Sequence, residues 1–331
     1  MGQRGRASTT WLYLTKAVPR MRRFLRAHGV DVVHTNDGRV HANWALPARA
    51  AGAKLLWHHR GDPRARGVNI LAPVLAHHIV TVSRFASPDR PVLPVNHKLS
   101  VVHSPFDHPA ARFDRSRAHG ALASELGYPP ETKFLGYFGG LIDRKRPVAF
   151  VDAVHAFIRR HPDIPVAGVL FGQEAPDGPP LEAAVRKRAA ELEIGNRIHL
   201  MGFRHPIEPW MCATDILLVP AVREPFGRTL IEAMLLGTPV VATNHGGNPE
   251  AINDGETGFL VEADDPEAFT APIHRLLADP ECWRYVSGTA RDRALSSYSL
   301  ERHVERLTGI YEGLCRQRSP RPAPAPAVTT R

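Results

Sequence analysis

Short runs of apolar and β-branched residues alternate with longer stretches of mixed polarity along the chain. In the first half, four such runs predict strands: 30–34, 54–57, 79–82 and 99–103. Two stretches with apolar residues at helical spacing predict helices: 17–28 and 39–51. Strands that alternate with helices are typical of a parallel sheet covered by crossover helices. The first half therefore predicts an α/β domain.

The second half continues the same alternation with more elements. Its strands are predicted at six runs: 133–138, 166–171, 198–201, 216–219, 240–242 and 259–261. Its helices are predicted at five stretches, with two further helices after residue 280: 147–160, 181–193, 228–236, 249–253 and 266–277. Six strands with helices between them are enough for a complete doubly wound domain.

Length and one break in the pattern predict the domain organisation. A chain of 331 residues accommodates two domains of ordinary size. The break Gly127-Tyr-Pro-Pro130 predicts the linker between them. We therefore expect four segments: a first domain at 1–128, a second domain at 129–298, a helix at 299–316 that packs back toward the first domain, and a disordered proline-rich tail at 317–331.

Charge and composition narrow the choice of partners. The formal net charge of +9 favours anions such as nucleotide phosphates, acidic lipid headgroups or nucleic acid. The sequence has no recognition module and no basic and aromatic interleaving, so we expect no nucleic-acid partner. Its three cysteines lack paired spacing and predict neither a disulfide framework nor a zinc site. We expect a cytoplasmic protein, since no apolar run approaches the roughly 20 residues that span a bilayer.

One predicted helix leaves a peripheral membrane association open. In the segment 18–28, Val18, Met21 and Leu25 fall on one stripe and four arginines lie elsewhere. A basic amphipathic helix of this kind can lie on an anionic membrane surface. The alternative is that the apolar stripe packs against a sheet.

Two glutamates flank a turn and a predicted helix start. Glu224 precedes Pro-Phe-Gly, and Glu232 follows eight positions later on the predicted helix 228–236. The first N–H groups of a helix have no intrahelical acceptor, and with the helix dipole they form a seat for phosphate. A carboxylate accepts hydrogen bonds from paired sugar hydroxyls. The segment therefore predicts a sugar-nucleotide site.

Two more loops at strand ends carry matching chemistry. The segment Phe138-Gly-Gly-Leu-Ile-Asp-Arg-Lys-Arg-Pro147 places three cations at the carboxyl end of a strand, where open α/β sheets bind ligands. Gly246 and Gly247 follow the strand 240–242, and glycine lets backbone approach a ligand closely. The Trp57-His-His-Arg-Gly-Asp62 segment follows a strand of the first half.

The string from Glu224 to Glu232, with Gly237 and Pro239 after it, resembles the retaining glycosyltransferases of family 4. The resemblance covers about residues 31–269 and implies the GT-B fold, two Rossmann-like doubly wound parallel-sheet domains facing a cleft. The family's opening strand, glycine-rich turn and two further strands have no counterpart before Asp31. We therefore expect the first domain to be incomplete, from truncation, a mis-set start codon or degeneration, and the protein to be poorly soluble or covered by a partner.

The resemblance also implies roles for individual residues. Glu224 is expected to meet the donor sugar, and Lys145 matches the family lysine that neutralises the donor diphosphate. Gly140 stands where the family has an arginine, so we expect Arg144 to supply that charge, with Arg228 as the second candidate. His59 is expected to meet the donor sugar or its phosphate, with Arg60 as the alternative.

The remaining matched positions are expected to bind the donor. Glu232 corresponds to the glutamate that holds the ribose, the Gly-Gly loop lends amides to the sugar, and main chain after the strand 198–201 borders the base. The implied donor-binding residues are Glu232, Gly227, Arg228, Thr229, Phe226, Gly246, Gly247, Phe203, Arg204 and Gly140.

The implied activity is transfer of a hexose or aminosugar from a nucleoside-diphosphate sugar to an unknown acceptor, with retention of configuration. Cations and helix amides would stabilise the leaving diphosphate, so we expect no metal and no cofactor. Two alternatives remain open: a sugar-nucleotide epimerase or glycan phosphorylase of the same architecture, and a truncated, inactive partner protein that only binds sugar nucleotides.

Overall fold

The computed structural model describes residues 10–36, 38–107 and 113–316, and these residues form two compact units. The first unit contains the described residues up to Val82, Ser87–Val102 and those from Val304 onward. The second contains Ser83–Ala86 and the described residues of His103–His303. The predicted tail at 317–331 lies outside the described residues.

The first unit is built on four parallel strands in the order β1-β2-β3-β4. Each strand begins and ends within two residues of its prediction: β1 Val32–Asn36, β2 Lys54–His59, β3 His78–Thr81 and β4 Leu99–Val101. The described residues before β4 form three α-helices, the first and third preceded by π turns at Tyr13–Ala17 and Gly67–Leu71: α1 Val18–Ala27, α2 Gly38–Ala51 and α3 Ala72–Leu75.

The apolar stripe of α1 faces the core of the first unit. Leu25 is buried in a cluster with Leu55, Trp57 and Ile79, while Val18 and Met21 are half-buried. The stripe that could have entered a membrane surface therefore packs inside the protein. Among the residues that the structure describes, no helix has both the length and the apolar character needed to cross a bilayer.

The second unit contains a six-stranded parallel sheet in the order β10-β9-β8-β5-β6-β7. Its strands are β5 Lys133–Phe138, β6 Val166–Phe171, β7 Ile198–Gly202, β8 Ile216–Val219, β9 Val240–Thr243 and β10 Phe259–Val261. The chain builds outward from β5 in one direction and from β8 in the other, which is the doubly wound order. The prediction of a complete doubly wound sheet from the second half of the sequence is confirmed.

Helices cover both faces of this sheet. They are α4 Arg115–Leu126, α5 Pro147–Arg160, α6 Leu181–Glu191, α7 Glu208–Ala213, α8 Arg228–Leu236, α9 Asn248–Ala251, α10 Thr270–Ala278 and α11 Pro280–Ser297, with 3₁₀ turns at Asp143–Lys145 and Pro266–Phe269. The core between them is continuous, and its largest fully buried side chains include Phe150 and Phe157 of α5.

The last described helix, α12 Leu300–Arg316, contributes its later part to the first unit. Leu314 is buried against Leu56, Val80 and Val102. Leu56 points to the opposite face of the first sheet from Leu55, because successive side chains of a strand alternate. The helix therefore covers the face that α1 and α2 leave open.

The division between the units departs from the predicted linker at Gly127–Pro130. Asp114 caps α4 by accepting from Arg117 N at 3.1 Å, and Gly127 ends the helix with a φ of 72°. Arg115 then fixes α4 to the second unit through Thr214 O at 2.7 Å. The Gly-Tyr-Pro-Pro segment is therefore a helix terminus inside the second unit, and the chain passes between the units at Val102–His103 instead.

Candidate functional site

The site of greatest chemical interest lies at the carboxyl ends of β5 and β8. These two strands are neighbours, and the connections that follow them lead in opposite directions. Open α/β sheets bind ligands at such a switch point. Side chains from both following loops line one shared pocket there, among them Lys145, Glu224 and Thr229, with Tyr137 from β5.

The loop after β5 is held tightly, which positions Lys145. A Cβ placed on Gly139 would lie 2.5 Å from Lys145 Nζ, so the lysine side chain passes directly over this glycine. Gly139 itself has a φ of 144° and donates its N–H to Phe171 O at 2.9 Å. Glycine is required here because both the backbone conformation and the lysine exclude a side chain.

Arg146, the third cation of this loop, has a structural role. Its φ of 53° places it in the left-handed region immediately before α5. Its guanidinium donates to Ala263 O at 2.6 Å and lies 2.9 Å from Asp264 Oδ1. The two cations that remain for the site are Arg144 and Lys145.

The loops after β5 and β8 are joined by one ion pair. Arg144 donates to Glu224 Oε2, and Val222 N donates to Arg144 O at 2.8 Å. Glu224 is only 9% exposed, so the guanidinium of Arg144 supplies a hydrogen-bond donor that solvent can hardly replace. The pair fixes the position of the carboxylate between the two loops.

The helix after Glu224 begins without a side-chain cap. Gly227 precedes α8 with a φ of 64°, and its residue type provides no capping oxygen. The first amides of α8 therefore keep the electropositive character that binds phosphate. A Cβ on Gly227 would approach Asn248 Oδ1 to 3.1 Å, so glycine also keeps this helix start close to its neighbour.

Lys145 interacts with both glutamates of the sequence motif. Burial lowers the pKa of Lys145, the carboxylates of Glu224 and Glu232 act in the opposite direction, and Arg144 lowers it further. Burial raises the pKa of Glu232, against the effect of Arg228 and Lys145. The structure thus brings together the two glutamates of one sequence motif, Glu224 and Glu232, and two cations of another, Arg144 and Lys145.

Gly246 and Gly247 pack against the Glu224 loop. A Cβ on Gly246 would lie 2.6 Å from Glu224 O, and one on Gly247 would lie 2.4 Å from Pro225 O. The N–H of Gly247 already donates to Glu224 O at 2.8 Å. The N–H of Gly247 is therefore engaged within the protein, and close backbone packing of both glycines positions Glu224. The expected contact of the Gly246-Gly247 loop with the donor sugar stays a prediction.

Phe226 is buried beside the Glu224 loop, and its expected contact with the donor stays a prediction. Its ring is 3% exposed, stacks on His103 at a centroid distance of 4.8 Å and meets the edge of Tyr298 at 5.5 Å. These partners lie more than 70 positions away in the sequence. Arg228 of the following helix lies over Phe106 and 3.6 Å from Glu232, so it belongs to the rim of the site.

The predicted base-binding residues lie at the carboxyl end of β7. Phe203 is exposed, whereas Arg204 donates to Met201 O and to Glu125, and its guanidinium lies over Trp210. The described contacts of Arg204 thus run to structural neighbours rather than to the glutamate and lysine cluster. Gly140 lies beside that cluster, and its carbonyl accepts from Tyr137 Oη at 3.1 Å.

His59 belongs to the first unit. It is buried at the end of β2, and its Nε2 lies 2.9 Å from Asp62 O. This contact orients the ring at the carboxyl ends of the strands of the first sheet. Its expected role toward a donor, and that of Arg60 as the alternative, stay predictions.

Three residues of the second unit were missed in the sequence. Tyr137 lines the pocket, and burial followed by the charge of Glu224 raises its pKa. Glu250 accepts the N–H groups of Arg84 and Phe85 at 2.8 and 2.9 Å. Ser83 donates to Pro225 O at 2.5 Å, so the Ser83–Ala86 segment supports the Glu224 loop. Only Glu250 carried a signal, as the last residue of the Gly-Gly-Asn-Pro-Glu string.

The arrangement is suited to binding a polyanion beside a polyhydroxyl group. Two cations and a free helix start provide positive charge, and two carboxylates provide acceptors on either side. Within the described ranges, no group of three or more His, Cys, Asp and Glu side chains is placed to hold a metal ion.

Comparison with solved structures identifies the fold. A crystal structure of Anabaena HepE in complex with UDP and glucose has a TM-score of 0.77 and 22% identity, and it covers 89% of this chain and 80% of that one. A glycosyltransferase from Rickettsia africae has a TM-score of 0.79 and 19% identity, covering 91% and 81%. The two parallel sheets and these neighbours define the class of protein: the chain has the GT-B fold of glycosyltransferases.

The particular family follows from the sequence comparisons. Residues 132–279 match the family Glycosyl transferases group 1, which indicates a glycosyltransferase of the GT-B class. D-inositol 3-phosphate glycosyltransferase of Corynebacterium glutamicum is 35% identical over 229 residues, which are 68% of this chain and 52% of that protein. The mannosyltransferase LpsB of Rhizobium meliloti, which acts in lipopolysaccharide core biosynthesis, is 30% identical over 206 residues, 62% and 57%. The chain spans about half the length of the curated relatives it matches.

Proposed function

We propose that this protein is a glycosyltransferase that uses a nucleoside-diphosphate sugar as donor and transfers a hexose or aminosugar to an acceptor with retention of configuration. The observation that carries the proposal is the position of Lys145, which interacts with both Glu224 and Glu232 beside the uncapped start of α8. A diphosphate on that helix start would have a cation beside it and a carboxylate on each flank.

Each residue has a role in this proposal. Lys145 and the first amides of α8 neutralise the diphosphate, and Arg144 holds Glu224 toward the sugar. Glu232 accepts the ribose hydroxyls. The anomeric C–O bond to the diphosphate breaks, the acceptor oxygen bonds the anomeric carbon from the same face, and the acceptor proton passes to the departing phosphate. The cationic side chains perform the work of a metal ion, so the reaction needs neither a metal nor an organic cofactor.

The relatives select the first substrates to test. HepE was crystallised with UDP and glucose, so UDP-glucose is the first donor, with GDP- and ADP-linked sugars as comparisons. The relatives named D-inositol 3-phosphate glycosyltransferase supply the first acceptor to test. We place the protein in the cytoplasm, where nucleotide sugars are made.

The test is acceptor-dependent release of nucleoside diphosphate by the full chain, measured with and without EDTA. We expect release that depends on both substrates, survives EDTA and yields a product whose anomeric configuration, read by NMR, matches the donor. Lys145→Gln should weaken donor binding about tenfold or more, since it removes a charge-assisted contact. Lys187→Gln, which removes an exposed lysine of α6, is the matched control.

The outcomes separate the competing functions. Donor binding that falls in Lys145→Gln without turnover by the wild type would assign the protein as a sugar-nucleotide-binding partner. Acceptor-independent conversion of the donor sugar would assign an epimerase. Donor affinity that is equal in the wild type and Lys145→Gln would reject the site itself.

A further inference from the structure

A second pocket lies in the first unit. It is at the amino ends of the parallel strands, whereas His59 lies at their carboxyl ends. It has a volume of about 610 Å³ and is bounded by the amino ends of β3 and β4 and by one face of α12. His77 and His78 contribute from the start of β3, and His97 and Lys98 from the turn before β4. Because the strands are parallel, these residues lie at the opposite end of the sheet's strands from the carboxyl end of β2.

The lining of this pocket is cationic. Its ionisable members are His77, His78, His97, Lys98 and Arg306, and no carboxylate from the described part of the chain lines it. The charged groups that act on His77 and His78 are also basic: Arg49, Lys54 and Lys98 lower the pKa of His77 after burial does, and Lys98 lowers that of His78. Such a cluster repels itself and is stabilised when an anion enters it.

Hydrogen bonding inside the cluster leaves donors in excess. His77 Nδ1 lies 2.9 Å from Leu55 N, and its Nε2 lies 2.7 Å from Arg49 Nη1. A neutral imidazole has one acceptor nitrogen, so one of these contacts places two donors together. Lys98 donates to Pro73 O and Ala76 O at 2.8 Å, which fixes its ammonium at the pocket wall. An ammonium group has three N–H donors, so Lys98 keeps one donor that an anion could use.

The helix that forms the other wall leaves room for a ligand. Gly309 and Gly313 are four positions apart and therefore lie on one face of α12, three and seven positions after Arg306. A Cβ on either glycine would meet nothing within 4 Å. Glycine costs about 1 kcal/mol relative to alanine inside a helix. The two glycines therefore lower the stability of the helix, and no close packing contact explains why they are there.

We propose that this pocket binds a soluble phosphomonoester whose phosphate sits among His77, His97, Lys98 and Arg306, with a sugar-sized body along Gly309 and Gly313. The volume is within the range of small-molecule sites, and Val102, Ile310 and Leu314 provide an apolar floor. The proposal does not depend on the glycosyltransferase function, because the pocket lies in the other unit. Occupancy should be linked to proton uptake by the histidines.

The test is calorimetric titration of the full chain with glycerol 3-phosphate, in the wild type and in a Lys145→Gln background that weakens anion binding by the second unit. We expect binding in both. Arg306→Gln should weaken it about tenfold, as for loss of a charge-assisted hydrogen bond. Gly309→Leu should abolish it by filling the cavity, while circular dichroism stays at the wild-type value and the melting temperature stays at or above it, since leucine favours a helix more than glycine does. Arg316→Gln, on the same helix but outside the pocket, should bind as the wild type does.

Histidine NMR locates the site and its pH dependence. The ring resonances of His77, His78 and His97 should shift on addition of ligand. Sulfate, whose charge is constant near neutral pH, should bind more tightly as the pH falls from about 7.5 to 5.5, since a bound anion favours the protonated rings. Equal affinity in Arg306→Gln and the wild type, or unshifted histidine signals, would overturn the proposal. So would binding to vesicles of phosphatidylcholine and phosphatidic acid without binding of glycerol 3-phosphate, because the source would then be a lipid headgroup.

Discussion

Arg144 donates a charge-assisted hydrogen bond to Glu224 and so joins the loop after β5 to the loop after β8. The two residues are 80 positions apart in the sequence, and each follows a strand on one side of the switch point. Glu224 is nearly buried, whereas the Arg144 side chain is 42% exposed. The pair therefore holds a carboxylate in place while leaving one edge of the guanidinium toward solvent.

Removal of Arg144 should cost both stability and activity. We expect Arg144→Gln to lower the free energy of unfolding by about 1–2 kcal/mol, because the buried Glu224 side chain loses its charge-assisted hydrogen-bond donor. The double variant Arg144→Gln with Glu224→Gln should recover most of that stability in urea unfolding but not transfer activity. Recovery of both would show that the pair serves structure alone. Arg188→Gln, which breaks a half-buried pair with Asp152 far from the motif, is the control.

The Glu232 carboxylate should lower the stability of the ligand-free protein and strengthen nucleotide binding. Burial raises its pKa, so the charged form is disfavoured in the folded protein. The stability it contributes is present below its ordinary value of 4.5 and is lost as the pH rises through the raised value, so at pH 7 the carboxylate is a net cost. We expect Glu232→Gln to melt at a higher temperature without ligand.

The same substitution should weaken nucleotide binding by about 1–3 kcal/mol, since ribose hydroxyls lose their acceptor. Calorimetry with UDP and thermal melts at pH 7 measure the two effects. Glu281→Gln, in the exposed first turn of α11, should change neither. A lower melting temperature for Glu232→Gln, or unchanged UDP affinity, would contradict the assignment.

Gly246→Ala should displace the Glu224 loop, and the chain offers a matched control. Gly246 and Gly255 both have positive φ, 65° and 76°, so alanine strains the backbone at either position. Only at Gly246 would the new Cβ collide, at 2.6 Å from Glu224 O, whereas at Gly255 it meets nothing within 4 Å. We expect both variants to lose about 1 kcal/mol of stability from strain, and Gly246→Ala to lose transfer activity at least tenfold more than Gly255→Ala. Equal kinetics in the two variants would remove the positioning role of Gly246.

The sequence predicted the strands of the second unit well because they are buried on both faces. The runs at 133–138, 166–171, 216–219 and 259–261 coincide with β5, β6, β8 and β10. Fully buried parallel strands consist of continuous apolar residues, which the pattern detects. Helix α4 was missed because only Leu122 and Ala123 of its twelve residues are buried, so its apolar periodicity is weak.

The site was predictable where its residues share one motif and not where contacts join distant segments. Glu224, Gly227 and Glu232 fall within nine positions, and the strand before Lys145 placed it at a sheet edge. The stacking of Phe226 on His103 and the support of the loop by Ser83 depend on the tertiary fold, which local pattern does not encode. At Gly246 and Gly247 the sequence showed that a glycine is needed but not why, because glycine allows close backbone packing and close approach of a ligand equally well.

Lys145 should make diphosphate binding sensitive to alkaline pH. Burial lowers its pKa, so it loses its proton at a lower pH than an exposed lysine does. We expect UDP affinity to fall as the pH rises from about 8 to 10. In Lys145→Arg the fall should be absent over this range, because guanidinium stays charged. Calorimetric titration with UDP across this pH range tests the prediction, with Lys187→Arg as the control. An identical pH profile in Lys145→Arg would mean that another group titrates.

His77 should make the first unit lose stability in mild acid. Burial, and then the charges of Arg49, Lys54 and Lys98, lower its pKa from 6.5 to about 4. A group with a lowered folded-state pKa contributes stability that is present above 6.5 and is lost as the pH falls toward 4, because the unfolded chain takes up the proton first. In His77→Asn, an amide oxygen can still accept from Leu55 N but does not titrate. The ring is half exposed, so solvent screening reduces the effect, and we expect the wild type to lose roughly 1–3 °C more than His77→Asn between pH 7 and pH 4.5. His97→Asn, which removes an exposed imidazole of the same pocket, should follow the wild type. Parallel melting curves for the wild type and His77→Asn would show that His77 is protonated as readily in the folded as in the unfolded chain.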